Sequence, residues 1–182
     1  MALHVALLRG INVGGKNMIR MPALKDCFEA AGFEDVATYI QSGNVLFRAA
    51  GSGPALESRV EKMLGKAFGH YKPTVMIRSR SQMRSIVEKA PKSIGADLDN
   101  YMYDVVFLKE PLTAAKALKQ VPVRDEVDEV YAGRGVIYFS RVTSMRTKSR
   151  LSRVASLPIY KSMTIRSWST TTRLLRMMDE AR

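Results

Sequence analysis

The chain has 182 residues and a mass of 20.3 kDa, and its 46% apolar and 25% charged residues exclude a disordered or collagen-like protein. Its formal net charge of +12 and pI near 10.0 favour polyanionic partners, such as nucleic acid or an acidic membrane surface. One cysteine excludes an internal disulfide and a thiolate metal cage, and two histidines leave little for zinc, so we expect no metal and no cofactor.

The first half of the chain, residues 1–80, has the pattern of a β-α-β-β-α-β unit. A buried strand, HVALLR, precedes a loop rich in Gly and Asn, and Pro22 then opens an apolar-striped helix that Gly32 ends. Two apolar runs around Ser42-Gly43-Asn44 predict a hairpin, because Gly and Asn tolerate the positive φ of tight turns. Pro54 begins a second helix, and the strand TVMIRS closes the unit.

The second half repeats this order. Residues 81–100 read as a linking helix and a loop, and residues 101–182 as strand, helix, hairpin, basic helix (SRLSRVASL), strand and closing helix. We find no residue-level repeat between the halves. The fold class predicted is α+β, with two tandem ferredoxin-like (βαββαβ) units that have antiparallel sheets, plus linking and C-terminal helices.

Three stretches carry a family resemblance: ALLRGINVGGKN, TYIQSGNVLF and TIRSWSTTTRL. Together they resemble the bacterial family catalogued as domain of unknown function number sixteen ninety-seven. Family members usually read T-x-R-N-W in the third stretch, where this chain has Ser167 in place of the Asn. The resemblance implies an α+β fold related to the ferredoxin-like sandwich, and it implies no activity.

The segment from Gly10 to Asn17 matches the phosphate-binding pattern G-x-x-x-x-G-K. Two features oppose a nucleotide-hydrolysing loop. Asn17 stands where a Ser or Thr hydroxyl should hold magnesium, and Pro22 places the helix start about five residues too late for its N-terminus to face phosphates.

The same loop still combines cations with glycine N–H groups, as anion sites do. The predicted anion-binding residues are Arg9, Gly10, Asn12, Gly14, Gly15, Lys16, Asn17 and Arg20, with Gln41, Ser42 and Asn44 of the hairpin as candidate neighbours. The alternative is a purely structural turn, in which the glycines supply special backbone angles and the asparagines bind the loop's own carbonyls.

Basic charge concentrates near the end of the chain. Residues 134–182 hold 11 Lys or Arg and 2 Asp or Glu, a net charge of +9 out of +12. Within them the stretch RVTSMRTKSRLSR interleaves cations with hydroxyls, the usual phosphate-contacting set. A nucleic-acid face is predicted at Arg146, Lys148, Arg150 and Arg153; the alternative is a solvated face that aids solubility.

Enzymatic constellations are sparse. Cys27 lies on an apolar helix stripe, and neither His4 nor His70 has a carboxylate at a catalytic spacing. The carboxylates at 125, 126, 128 and 129 read as a solvated strand edge. The strand containing Tyr138 and Phe139 partly matches an RNA-reading motif, but a hairpin strand with Phe139 in the core fits better.

Two functions follow from these patterns. The first is a small anion-binding module that contacts phosphate-bearing ligands or nucleic acid through the Gly-rich loop and the basic C-terminal face. The alternative is a small enzyme acting on a phosphorylated or acidic metabolite at the loop, so enzymatic activity is left open. Without a membrane-length apolar run or an export signal, we expect a cytoplasmic protein with no membrane partner, and homo-oligomers are compatible with the sequence.

Overall fold

The computed structural model describes residues 1–181. The chain forms two compact units, one from residues 1–83 with 174–181 and the other from residues 84–173. The predicted linking segment 81–100 therefore falls mainly in the second unit, and the end of the last helix falls in the first. Across these residues no helix combines the length and the apolar content needed to cross a bilayer.

The first unit contains one antiparallel sheet of four strands. Its elements are β1 (Ala2–Leu8), α1 (Met21–Ala30), β2 (Glu34–Tyr39), β3 (Asn44–Ala49), α2 (Gly53–Ala67) and β4 (Val75–Ser79). The strands lie in the order β2-β3-β1-β4, and every neighbouring pair is antiparallel. The predicted sequence of strands and helices in this half is confirmed.

Local sequence explains how the helices of this unit begin and pack. Pro22 occupies the first turn of α1, where its missing N–H leaves no hydrogen bond broken. Leu24 and Phe28 lie one helical turn apart and are fully buried, in one cluster with Phe47 of β3. Gly32 follows the helix with a φ of +80°, a conformation that L side chains disfavour.

The second unit contains a second antiparallel sheet of four strands. A helix, α3 (Arg80–Glu88), precedes it; then follow β5 (Tyr101–Leu108), α4 (Ala114–Leu118), β6 (Asp128–Gly133), β7 (Val136–Val142), β8 (Met163–Ser167) and α5 (Trp168–Glu180). The strands lie in the order β6-β7-β5-β8. The α+β class, with two four-stranded antiparallel sheets, is therefore confirmed.

The prediction of a basic α-helix between β7 and β8 is wrong. Three 3₁₀ helices, Thr143–Lys148, Leu151–Ser156 and Pro158–Ser162, occupy this stretch, which we call the basic segment (residues 143–162). Its hydroxyls compete for backbone groups: Ser149 Oγ accepts the Leu151 N–H at 3.2 Å, and Ser156 Oγ donates to the Arg153 carbonyl at 2.7 Å. Such competition, together with Pro158, favours short turns over a continuous α-helix.

The two halves do share a residue-level repeat, contrary to the sequence-based expectation. Residues 77–81 read IRSRS and residues 165–169 read IRSWS, and each run passes from the last strand of a sheet into the following helix. In both runs the two serine Oγ atoms lie 3.0 Å apart. Ser79 Oγ accepts the Gln82 N–H at 3.3 Å and Ser167 Oγ accepts the Thr170 N–H at 3.2 Å, so each caps its helix. Ser is among the favoured helix caps, as is the Asn usual at this position in the family pattern.

Tyr138 is buried inside the second unit, and its hydroxyl has a backbone partner. It is 1% exposed, and its hydroxyl donates to the Ile86 carbonyl of α3 at 2.5 Å. Burial raises the pKa of Tyr138 to about 12. Phe139, on the opposite face of β7, belongs to the hydrophobic core of the unit. Neither ring is exposed to stack on a base, so the RNA-reading interpretation of this strand is wrong.

This buried phenol predicts a pH dependence at alkaline pH. Between pH 10 and pH 12 the unfolded chain releases the Tyr138 proton and the folded chain retains it. The free energy of unfolding therefore falls as pH rises through this window, by at most about 1.4 kcal/mol per pH unit from this group. In Tyr138→Phe we expect a shallower fall, measured by urea denaturation across the window. An unchanged slope would contradict the assigned burial of the phenol.

Candidate anion-binding sites

The Gly-rich loop folds as a miniature hairpin. Val13 and Lys16 form a β-bridge, with the Lys16 N–H donating to the Val13 carbonyl at 3.0 Å. Gly14 and Gly15 form the turn with φ values of +56° and +73°, the type I′ geometry that needs positive φ at both positions. The Asn12 N–H donates to the Asn17 carbonyl at 3.2 Å. The glycines therefore close a hairpin turn and do not precede a helix directly.

The side chains of the two asparagines of the loop bind backbone groups of the loop and of the neighbouring hairpin turn. Asn12 Oδ1 accepts the Ile19 N–H at 2.8 Å, while its Nδ2 donates to the Gln41 carbonyl at 2.9 Å. Asn17 Nδ2 donates to the Gly10 carbonyl at 2.8 Å. Their side-chain amides thus brace the loop, which is the structural role that the sequence left as an alternative to anion binding.

The hairpin turn between β2 and β3 packs directly against this loop. The Gly43 carbonyl accepts the Leu8 N–H at 2.9 Å, and a Cβ on Gly43 would lie 2.9 Å from Cγ1 of the buried Ile11. Asn44 is fully buried, and its Nδ2 donates to the Tyr39 carbonyl at 2.8 Å. The hairpin turn therefore lies beside the Gly-rich loop, as the sequence predicts. Gln41 is exposed at the surface of the turn, and Ser42 is half-buried.

The cations of the loop differ in their exposure. Arg9 is half-buried; its N–H donates to the Thr74 carbonyl at 2.9 Å and its carbonyl accepts the Tyr71 hydroxyl at 2.6 Å. Lys16 and Arg20 are exposed. Because α1 begins at Met21, its N-terminus does not extend the glycine turn as it does in nucleotide-hydrolysing loops. Anion binding at this loop stays a prediction.

The basic segment presents its charges to solvent and its apolar side chains to the core. Arg146, Lys148, Arg150 and Arg153 are all exposed. Leu151 and Val154 are buried in the hydrophobic core of the second unit. No acidic residue occurs from residue 130 to residue 178, so the segment's cations have no carboxylate nearby in sequence.

One carboxylate anchors the basic segment, and the sequence did not reveal it. Asp128 is 7% exposed; its Oδ2 accepts the Arg124 N–H at 3.0 Å and the Arg150 N–H at 2.8 Å. The solvated-edge interpretation is therefore wrong for this residue, although Asp125 and Glu129 are exposed. The Arg150 guanidinium also donates to the Val123 carbonyl at 3.2 Å. These bonds fix where the second 3₁₀ helix begins.

Three further side chains, those of Cys27, His4 and Trp168, are buried or partly buried. Cys27 is partly buried against the core of the first unit, and burial raises the pKa of its thiol. His4 is 2% exposed, and burial lowers the pKa of its imidazole. Trp168 lies against Gly95, where a Cβ would lie 2.9 Å from its Cδ1. Within residues 1–181, no three His, Cys, Asp or Glu side chains group so that they could hold a metal ion.

Comparison with known protein families gives the family of this chain. The profile of a family described as protein of unknown function (DUF1697) matches residues 1–138. The chain belongs to this family. The matched residues of the DUF1697 family include the Gly-rich loop and end before the basic segment, so the segment lies outside the region by which membership is recognised.

A solved structure similar to this chain is that of the conserved bacterial protein SP0830 from Streptococcus pneumoniae. The two share 24% identity and a TM-score of 0.81, over 97% of this chain and 98% of the other. This likeness shows the fold alone. An unknown protein from Galdieria sulphuraria is 12% identical over 91% of this chain and 96% of its own, with a TM-score of 0.24 that carries no argument. No curated protein matches the chain.

Proposed function

We propose that this chain binds nucleic acid through the basic segment, with Arg146, Lys148 and Arg153 contacting phosphates. The observation that carries the proposal is the orientation of the segment. Its cations are exposed while Leu151 and Val154 are buried in the core. The buried side chains hold the segment in place, and the cations therefore face solvent. Lys and Arg that neutralise phosphates release counterions, which gives affinity without sequence specificity.

The composition of the segment supports this assignment. Ser144, Thr147 and Ser152 are exposed between the cations, and hydroxyls contact phosphate oxygens in protein–nucleic acid complexes. The basic segment holds no carboxylate of its own, and with the buried Asp128 that accepts the Arg150 N–H its net charge is still positive. The proposal concerns this chain rather than its family, because the family match ends at residue 138.

The Gly-rich loop supports the alternative less well. Of the predicted site, Lys16 and Arg20 are exposed cations, but the side chains of Asn12 and Asn17 already bind backbone groups. A phosphorylated or acidic metabolite would therefore meet two flexible side chains. An enzyme acting at this loop remains the second candidate, and it predicts ligand contacts at residues 9–20.

We also propose that both units are ferredoxin-like. The strand orders β4-β1-β3-β2 and β8-β5-β7-β6, each with its first crossover through a helix, support this topology. In the second unit the basic segment takes the place of the second crossover helix. Three short 3₁₀ helices have more ends than one α-helix, and therefore more backbone N–H and C=O groups without a partner inside a helix.

Removing three charges from the basic segment tests the proposal. The variant combines Arg146→Gln, Lys148→Gln and Arg153→Gln; Arg150 is retained because its guanidinium supports the Val123 carbonyl. For a single strand of about 20 nucleotides we expect affinity to fall on the order of tenfold at about 150 mM salt. Because about 0.7 counterions are released per phosphate contact, the slope of log affinity against log salt should become shallower by about two. Fluorescence anisotropy measures both quantities.

A matched variant separates specific contact from net charge. Lys62→Gln, Lys66→Gln and Lys72→Gln remove the same charge from exposed positions in the first unit. We expect this control to keep most of the affinity and nearly all of the salt slope. Equal losses in the two variants, or no binding by the natural chain at low salt, would end the proposal.

A further inference from the structure

A cleft of about 250 Å³ opens beside the basic segment, at one end of the sheet of the second unit. It is lined by residues 99–101, which lead into β5, and by residues 142–144 with Arg146, which follow β7. The Thr143 N–H donates to the Asn100 carbonyl at 2.8 Å and joins the two walls. The volume is sufficient for one nucleobase but not for a large ligand.

One wall of the cleft offers an aromatic surface. Tyr101 is 37% exposed, and its ring stacks on that of Tyr103 with centroids 6.2 Å apart and planes 24° apart. Tyr103 is buried, and its hydroxyl accepts the Asp97 N–H at 3.2 Å. A supported, partly exposed ring of this kind is how proteins stack unpaired bases.

The opposite wall offers polar groups for a phosphate. Arg146 and the exposed Ser144 line it, so a guanidinium and a hydroxyl are available to phosphate oxygens. Asp99 on the first wall repels phosphate, so an incoming nucleotide would turn its phosphate toward Arg146.

We propose that the cleft between Tyr101 and Arg146 holds one unpaired nucleotide, its base on Tyr101 and its phosphate at Arg146. This inference rests on the proposed function and adds a substrate class: the chain prefers single-stranded nucleic acid. A base inside a duplex is already stacked and cannot enter the cleft, whereas a base in a single strand can.

Replacing the aromatic platform tests the preference. Tyr101→Leu keeps the charge of the basic segment and removes the stacking surface. We expect affinity for a single strand of about 20 nucleotides to fall about tenfold, with affinity for the matching duplex unchanged. Tyr39→Leu, at a partly buried tyrosine of the first unit, is the control and should change neither affinity.

The outcomes separate this inference from the function on which it rests. If Tyr101→Leu leaves the salt-dependent binding unchanged, the cleft does not hold a nucleotide, while the proposed binding by the basic segment still stands. If the natural chain binds thymidine monophosphate but not the single strand, the ligand is a mononucleotide and the proposed preference for single-stranded nucleic acid is wrong. No salt-dependent binding of either polymer by the natural chain would remove the proposed function itself.

Photocrosslinking tests the proposed base position in the natural chain, so that no substituted protein is needed. A strand carrying 5-iodo-2′-deoxyuridine couples on irradiation to aromatic side chains that stack on the base. Mass spectrometry of the natural chain should locate the crosslink at Tyr101. Crosslinks found only at other residues would overturn the inference.

Discussion

We expect Gly43→Ala to be among the most destabilising single substitutions in the first unit. Gly43 has a φ of +79°, and an added Cβ would press on the side chain of Ile11, which is 1% exposed. Left-handed backbone costs an L residue about 1–2 kcal/mol, and overpacking adds about 1–3 kcal/mol. The free energy of unfolding should fall by about 4 kcal/mol and the melting temperature by about 10 °C.

Gly32→Ala provides the matched control for this substitution. Gly32 has a φ of +80°, and a Cβ added there would meet nothing within 4 Å. It therefore shares the backbone strain of Gly43 without the steric clash, and should cost about 1–2 kcal/mol. Chemical denaturation of both variants gives the difference. Equal costs would mean that the loop and the hairpin turn are not packed together as described.

Asp128→Ala should release the basic segment from the sheet. The substitution leaves the N–H groups of Arg124 and Arg150 without the carboxylate that now accepts both. Each lost bond to a buried charged acceptor costs about 1.5–3 kcal/mol, so for the two bonds we expect a loss of at least about 3 kcal/mol. The local signature is faster hydrogen exchange at residues 150–156, where the second 3₁₀ helix begins and runs.

Asp125→Ala is the control for this prediction, since Asp125 lies three residues away and is exposed. It should change the free energy of unfolding by less than about 0.5 kcal/mol. If Asp128→Ala costs no more than this control, or if exchange at residues 150–156 is unaffected, the carboxylate does not anchor the segment.

Hydrophobic periodicity and turn residues predicted most of the fold. Pro22 marked the start of α1, and Ser42-Gly43-Asn44 marked the turn between β2 and β3, because both act through local backbone geometry. The basic segment was mispredicted for a related reason. Leu151 and Val154 have a helical spacing, and the same spacing suits consecutive 3₁₀ turns when hydroxyls compete for the backbone.

Features that depend on tertiary contacts were not visible in the sequence. Asp128 sits among three other carboxylates, and only the fold shows that it is buried beneath Arg150. Tyr101 and Arg146 lie far apart in the chain and meet because β5 and β7 pair, with Tyr101 opposite Val142. The Ile-Arg-Ser-x-Ser repeat is too short to be distinguished from chance until its two copies take equivalent places.

The Gly-rich loop shows why a motif alone does not define a site. Its glycines and its lysine fit a phosphate-binding pattern, but the turn at Gly14 and Gly15 closes a hairpin and the helix begins later, at Met21. A family match that includes this loop and names no activity adds fold information only. For this chain, the exposed charge of the basic segment is the stronger basis for a binding function.

Hydrogen exchange of the full chain, with and without a single strand of about 20 nucleotides, tests this assignment most directly. Phosphate contacts at the basic segment predict slower exchange at residues 143–153 in the presence of the strand, with residues 9–20 unchanged. Slower exchange confined to residues 9–20 would move the site to the Gly-rich loop, and no change anywhere at low salt would contradict nucleic-acid binding altogether.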